Sequence, residues 1–167
     1  IVERDALGGI CLNWGCIPTK ALLKSAQVFD YLNHAGDFGI TVKDHSADFS
    51  AIVNRSRDVA GSMSKGVEFL MKKNKIEVIR GFGKLKAAGK LEVTDESGAT
   101  KLVTAKNIIV ATGARSRELP HIKQDGKQVI GYREAMTLPK QPKSMVVMGS
   151  GAIGSEFAYF YQTLGTE

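Results

Sequence analysis

The chain has 167 residues, 43% of them apolar, which is enough for one domain or parts of two with a buried core. Its net charge is +6, but Lys65, Lys72, Lys73, Lys75, Lys84, Lys86 and Lys90 are spread over a helix, a strand and turns. That dispersal argues for a solvated face against a nucleic-acid stripe, and no apolar run approaches the roughly 18 residues of a membrane span.

The amino end has no signal-peptide pattern, and Ile1-Val2-Glu3 followed by Arg4-Asp5 reads as the end of a strand entering a loop. A fragment that begins partway through an element is therefore expected. Leu7-Gly8-Gly9-Ile10 leads into CLNWGCIPTK, residues 11–20, and the paired glycines let the backbone pass close to a ligand. Cys11 and Cys16 are the only two cysteines, too few for a secreted disulfide scaffold, so the pair points to redox work in a reducing compartment. An ideal helix separates residues five apart by about 7.5 Å of rise, more than the roughly 4.4–6.8 Å between bridged Cα atoms. A bridge thus needs Cys11 on the incoming loop and Cys16 on the opening turn of a helix, a geometry that Gly15 and Pro18 permit. A structural bridge or a buried thiol pair stays open at this point. A metal site is not expected, because C-x₄-C here lacks a second Cys/His pair at ligand spacing.

From Ile17 to about Ala35 the apolar residues Ala21, Leu22, Ala26, Val28, Phe29 and Leu32 recur at helical spacing, with Lys20 on the face of Cys16. A short extended piece, Ile40 to Val42, precedes a long helix capped by Ser46 or Asp48 and running to about Lys73. That helix reads as scaffold. Ile76–Ile79, Gly83–Leu85, Leu91–Thr94 and Leu102–Thr104 are strand-like pieces of a small antiparallel meander, with a turn at Asp95-Glu96-Ser97-Gly98. Asn107 to Val110 reads as a fully buried strand ending in Ala111-Thr112-Gly113. Arg115 to Lys143 reads as a connector with a short helix near Arg133 to Thr137. Ser144 to Met148 is a second apolar strand, followed at once by Gly149-Ser150-Gly151-Ala152-Ile153-Gly154 and a helix from Ser155 to Leu164. Strand, G-x-G-x-x-G and helix in that order form a dinucleotide-binding fingerprint, whose helix amino end faces the phosphates. The ribose-binding acid expected about 20 residues later would lie past Glu167. His34, His45 and His121 sit near a helix end or in loops and are expected to be solvated.

CLNWGCIPTK with Gly8-Gly9, the Ala111-Thr112-Gly113 strand end and GSGAIGSE resemble the flavoprotein disulfide reductases over nearly the whole chain. CLNxGCIP(S/T)K is most similar to their dihydrolipoamide dehydrogenase branch. The resemblance implies α/β architecture: Rossmann-like three-layer (ββα) domains binding FAD and NAD(P), with a small meander. Residues 1–117 would be the central part of the FAD domain, 118–143 the connector, and 144–167 the start of the NAD domain. It implies that Glu3 binds the FAD ribose and that Gly8, Gly9, Ile10 and Cys11 line the flavin. Gly83, Thr112, Gly113 and Ala114 would touch the adenosine or pyrophosphate side. Gly149, Ser150, Gly151, Ala152, Ile153 and Gly154 would hold the NAD pyrophosphate. Cys11 and Cys16 would form the redox-active disulfide, with Cys16 the charge-transfer thiolate and Cys11 the exchanging sulfur. The helix start and the Lys20 cation would lower thiol pKa values, and Lys20 with Glu156 would form a buried ion pair beside the flavin. Ile10 stands where many relatives have threonine, and Trp14 where a smaller residue is commoner.

The implied activity is oxidation of protein-bound dihydrolipoyl groups by NAD through the disulfide and FAD. The implied partners are lipoyl domains of 2-oxo acid dehydrogenase complexes and a second copy of the chain, with no nucleic acid and no membrane. The expected location is a bacterial cytoplasm, or the mitochondrial matrix in a eukaryote. The first FAD glycine loop and the catalytic His/Glu pair fall outside this sequence, so inactivity of this stretch alone is expected. Two other readings are a mercuric or glutathione-type reductase using NADPH, and a noncatalytic nucleotide-binding module whose cysteines sense redox state.

Overall fold

The computed structural model describes residues 1–167, and five α-helices dominate it. Helices α1 (Gly9–Trp14) and α2 (Cys16–Asn33) meet at Gly15, a 3₁₀ turn follows at Ala35–Phe38, and α3 runs from Phe49 to Lys73. Of the two candidate caps, Asp48 is the one used: its backbone is extended and its Oδ1 accepts from the Ala51 N–H at 2.9 Å. We expect Asp48→Ala to lower stability by about 1 kcal/mol, read as a downward shift of the thermal midpoint.

The core sits where α2 and α3 meet the short helix α4 (Tyr132–Met136) and α5 (Ala152–Thr163). Leu22 and Ala26 of α2, Phe49 and Val53 of α3, Ala135 and Met136 of α4, and Phe157, Phe160 and Tyr161 of α5 pack together there. Small Ala26 and Ala135 let the three buried aromatic rings of α5 approach, and Tyr161 meets Phe160 edge-on at 5.0 Å. The Tyr161 hydroxyl donates to the buried Ala135 carbonyl, and burial pushes its pKa up. Not every residue of the helical apolar pattern is covered. Val28 and Leu32 on α2, and Met63, Phe69 and Leu70 on α3, are exposed, because no element of this chain packs on those faces.

The strands form two small sheets. β1 (Val2–Glu3) pairs in parallel with β2 (Ile79–Arg80), Val2 opposite Ile79. β3 (Phe82–Ala87), β4 (Lys90–Thr94) and β5 (Thr100–Thr104) make an antiparallel meander in the order β3-β4-β5, but the expected Ile76–Ile79 piece is not part of it: Ile79 lies in β2 and takes β1 as its parallel neighbour. Gly81 joins the two sheets at φ +150°, and a Cβ there would stand 2.5 Å from the Thr94 carbonyl oxygen. At the β4–β5 turn Asp95 Oδ1 accepts from the Ser97 hydroxyl and from the Ser97 and Ala99 amides, which holds its carboxyl below the usual range.

Three other expected extended pieces also differ. Ile40–Val42 joins no ladder. Asn107–Val110 is not a buried strand: it has no regular structure, and Ile109 is 91% exposed. Ser144–Met148 is likewise no strand, with Val146 90% exposed. A strand needs a hydrogen-bonding neighbour, and this chain supplies none to 107–110. For the second piece the pairing has only begun. The Met145 N–H donates to the Glu167 carbonyl at 2.7 Å and the Glu167 N–H to the Lys143 carbonyl at 3.0 Å, an exchange of parallel sense across α5.

Candidate active site

The two cysteines sit on either side of the Gly15 break. Cys11 is inside α1, not on a loop as its spacing from Cys16 suggested, because the break that a close approach requires falls after Trp14. Gly15 (φ −138°, ψ −117°) turns the chain so tightly that a Cβ would lie 3.1 Å from both the Cys11 Cα and the Ile10 carbonyl oxygen. Its carbonyl then accepts the Thr19 amide at 3.0 Å, opening α2 with Pro18 in the first turn, where a missing N–H leaves no bond unmade. Gly8 at φ +106° and Gly9 at φ +66° bring the chain into α1.

Side chains that the sequence did not single out hold this turn. Buried Asn13 donates from Nδ2 to the Leu7 and Gly9 carbonyls, each at 3.0 Å, and Ser64 on α3 donates its hydroxyl to the same Leu7 carbonyl at 3.0 Å. Arg57, one helix turn past Val53, donates from Nη2 to the Asn13 carbonyl at 2.8 Å. Helix α3 is therefore more than scaffold. The available signal was polar Ser56 and Ser64 recurring on the stripe of Phe49, Val53 and Ala60 that faces inward.

Cys11 and Cys16 are both exposed and are not bridged to each other here. The Cys11 pKa is raised, first by a hydrogen bond to the Cys16 sulfur and then by desolvation and the neighbouring sulfur's charge. A lowered thiol pKa was expected from Lys20, but that ammonium is engaged elsewhere. In the reduced protein, iodoacetamide should label Cys11 slowly until the pH passes above the range of an ordinary exposed thiol. A Cys16→Ser variant, which loses the sulfur's charge, should bring that onset to lower pH, as mass-resolved labelling would record.

Lys20 Nζ, one turn into α2, contacts Glu156 Oε1 across the junction with α5. The structure thus brings together two residues 136 positions apart. The pair is not buried as expected: the Lys20 side chain is 62% exposed and that of Glu156 29%. It lies in an open groove between α2 and α5, beside Lys24, Gln27 and Tyr159, and no element of this chain closes over it. Glu156 also stands in the second turn of α5, not the first.

The glycine loop behaves as its pattern predicts. Gly149 turns at φ +108°, nothing lies within 4 Å of a Cβ on Gly151, and a Cβ on Gly154 would meet the Gly149 carbonyl oxygen at 2.3 Å. Turn, open approach and close helix packing are the three duties of that fingerprint. Ser150, Ala152 and Ile153 are exposed, and Gly151 caps α5 without a side chain, so the first amides of the helix are left for an anion. These residues fit a dinucleotide pyrophosphate.

On the other face, Gly113 (φ +77°) comes up to Ile10, whose Cδ1 would be 3.4 Å from an added Cβ, so the 111–114 segment meets the loop before Cys11. Thr112 and Ala114 beside it are exposed. Gly83 lies on β3 with an added Cβ 3.3 Å from Val2 Cγ1, close to the end of β1. Glu3, at that end, accepts the Asp5 amide at 2.9 Å with Oε1. This open face, with exposed Gly8 and Gly9, fits a second flat cofactor. His34 pairs with Asp30, which raises its pKa through the Asp30 carbonyl, and His45 Nε2 lies 2.8 Å from Asn33; neither reaches the thiols.

Residues 1–167 match the family model described as pyridine nucleotide-disulphide oxidoreductase. The dihydrolipoyl dehydrogenase of Chlorobaculum parvum is 49% identical over 167 residues, 100% of this chain and 36% of the relative. That of Rhizobium etli is 50% identical over 182 residues, 100% of this chain and 38% of the relative. Among solved structures, LpdA from Mycobacterium tuberculosis superposes with a TM-score of 0.89 at 27% identity, covering 99% of this chain and 36% of that one. The chain thus spans little more than a third of the length of the proteins it matches.

Proposed function

The chain belongs to the pyridine nucleotide-disulphide oxidoreductase family, and from that premise we propose that it is the redox-disulfide portion of a dihydrolipoyl dehydrogenase. The observation that carries the proposal is the pair of exposed thiols on either side of the Gly15 break, with Lys20 one turn away. Residues 1–117 are assigned to an FAD-binding domain, 118–143 to a connector and 144–167 to the opening of an NAD-binding domain.

In the bridged state, a thiolate of the dihydrolipoyl group attacks the exposed Cys11 sulfur. The Cys11–Cys16 bond breaks, and its electron pair leaves on Cys16. The second substrate thiol then attacks the sulfur joined to Cys11, closing the lipoyl disulfide and releasing Cys11 as the thiol. The substrate loses two electrons, which the cysteine pair takes up, and the proton of its second thiol passes to Cys11. FAD, held by Gly8, Gly9, Glu3, Gly83 and 112–114, and NAD, held by the Gly149–Gly154 loop, would supply the acceptors that take those electrons onward. The neighbouring Cys16 sulfur raises the Cys11 pKa, so Cys11 holds its proton more firmly than an ordinary exposed thiol. The Gly15 turn keeps the two sulfurs within reach of each other throughout.

The partners proposed are lipoyl-bearing domains and a second copy of the chain. Full-length protein should reduce NAD with dihydrolipoamide and should do little with glutathione disulfide and NADPH. Preference for the second couple would assign the chain to a different reductase of the same family.

A further inference from the structure

Trp14, the last residue of α1, carries over its ring two guanidinium groups that come from separate helices. The Arg57 Cζ of α3 is 4.6 Å from its ring centroid, and the Arg133 Cζ of α4 is 4.8 Å from it. Each of these arginines is tied a second time. Arg57 Nη2 donates to the Asn13 carbonyl at 2.8 Å, while Arg133 Nη1 lies 3.9 Å from Asp5 Oδ2, just before the Gly8-Gly9 turn. Arg57 Nε has no hydrogen-bond partner at all, and Arg57 is partly desolvated, which lowers its pKa. A guanidinium kept against a ring with one N–H unmet is held by the ring and by Asn13, since a free arginine would turn that N–H to water.

Resting on the redox reading of the cysteines, we propose that Arg57, Trp14 and Arg133 form a clamp that sets the angle at Gly15 and so the approach of Cys11 to Cys16. These three are positioning residues: they act on the sulfurs through the backbone of residues 13–15. The argument is geometric. Trp14 ends α1 and only Gly15 separates it from Cys16, so whatever fixes the Trp14 ring bears on the direction in which α2 departs. The indole is held by guanidinium groups from α3 and α4, which do not carry the cysteines. The pair's geometry is thereby referred to the core, where α3 and α4 pack, and not to the two short helices alone.

The test equilibrates full-length holoenzyme with mixtures of glutathione and its disulfide. Glutathione disulfide takes two electrons from the dithiol, giving one Cys11–Cys16 bond and two glutathione thiols, and the bridged fraction is read by mass after alkylation. Trp14→Leu, which keeps an apolar filler and loses the ring, and Arg57→Gln should each lower the equilibrium constant for bridging by about tenfold, the factor that one such contact supplies. Arg57→Lys should recover part of it. FAD absorbance and the thermal midpoint report folding, so a merely structural role would move those and leave the bridging constant alone. Unchanged constants in both variants, with a bridge that forms normally in the unmodified protein, would overturn the clamp and leave the redox reading intact. Absence of any bridge in the unmodified protein would overturn both.

Discussion

A Cys11→Ser, Cys16→Ser variant of the full-length flavoprotein should lose its dihydrolipoamide-to-NAD activity by on the order of a thousandfold or more, because the two sulfurs act as one unit and nothing else on the chain can exchange with a dithiol. Cys11 and Cys16 are the only cysteines, and both are exposed. The same variant should still pass electrons from NADH to a small one-electron acceptor, since the Gly149–Gly154 loop and the Gly8-Gly9 face are untouched. Either single serine variant should be nearly as impaired as the double one. The sharpest check is optical: titration with dithionite should give different visible spectra for the unmodified and doubly substituted proteins. Identical spectra would mean that the sulfurs and the flavin do not communicate, and the proposed electron path would fail.

The second large effect is expected at the glycine loop. A side chain at Gly154 has no space: its Cβ would stand 2.3 Å from the Gly149 carbonyl oxygen and 3.3 Å from Val147 Cγ1. Gly154→Val must push α5 away from the turn, and overpacking of about 1–3 kcal/mol should weaken NADH binding roughly tenfold to a hundredfold. Gly151→Ala offers the contrast. Its Cβ would meet nothing within 4 Å, so the thermal midpoint should hold while NADH binding falls, because the methyl occupies the approach that a pyrophosphate needs. Binding is best read by quenching or calorimetry with FAD content as the control. Equal NADH affinity in both variants would remove the loop from the cofactor site.

The sequence was most legible where hydrogen bonds close locally. Asp48 marks the start of α3 and Gly165, at φ +98°, the end of α5, because caps and αL glycines act within a few residues of the helix they bound. The meander was legible for the same reason, as its strands are joined by short turns such as the one Asp95 closes. Residues 107–110 and 144–148 looked like strands from composition, yet apolar runs pair only with neighbours, and here the first has none while the second has only the Glu167 backbone. In the site, the cysteines, the glycine turns and the Lys20–Glu156 contact were all readable. The place of Cys11 inside α1 was not, because the spacing of the cysteines requires a break without saying on which side of Trp14 it falls. Asn13, Ser64, Arg57 and Arg133 escaped notice for a different reason: their roles depend on which helices become neighbours, and no local pattern encodes that.

The contacts around the thiols differ widely in chain separation, and this orders their appearance as the polypeptide is made. Asn13 reaches Leu7 and Gly9 across six and four positions, whereas Glu156 reaches Lys20 across 136. Short closures form fast and at low entropic expense, long ones late. A nascent chain emerging from the ribosome can therefore shape its sulfur hairpin well before synthesis delivers the acidic residue that will neutralise the neighbouring ammonium. During that interval Lys20 stands unmatched beside the two sulfurs.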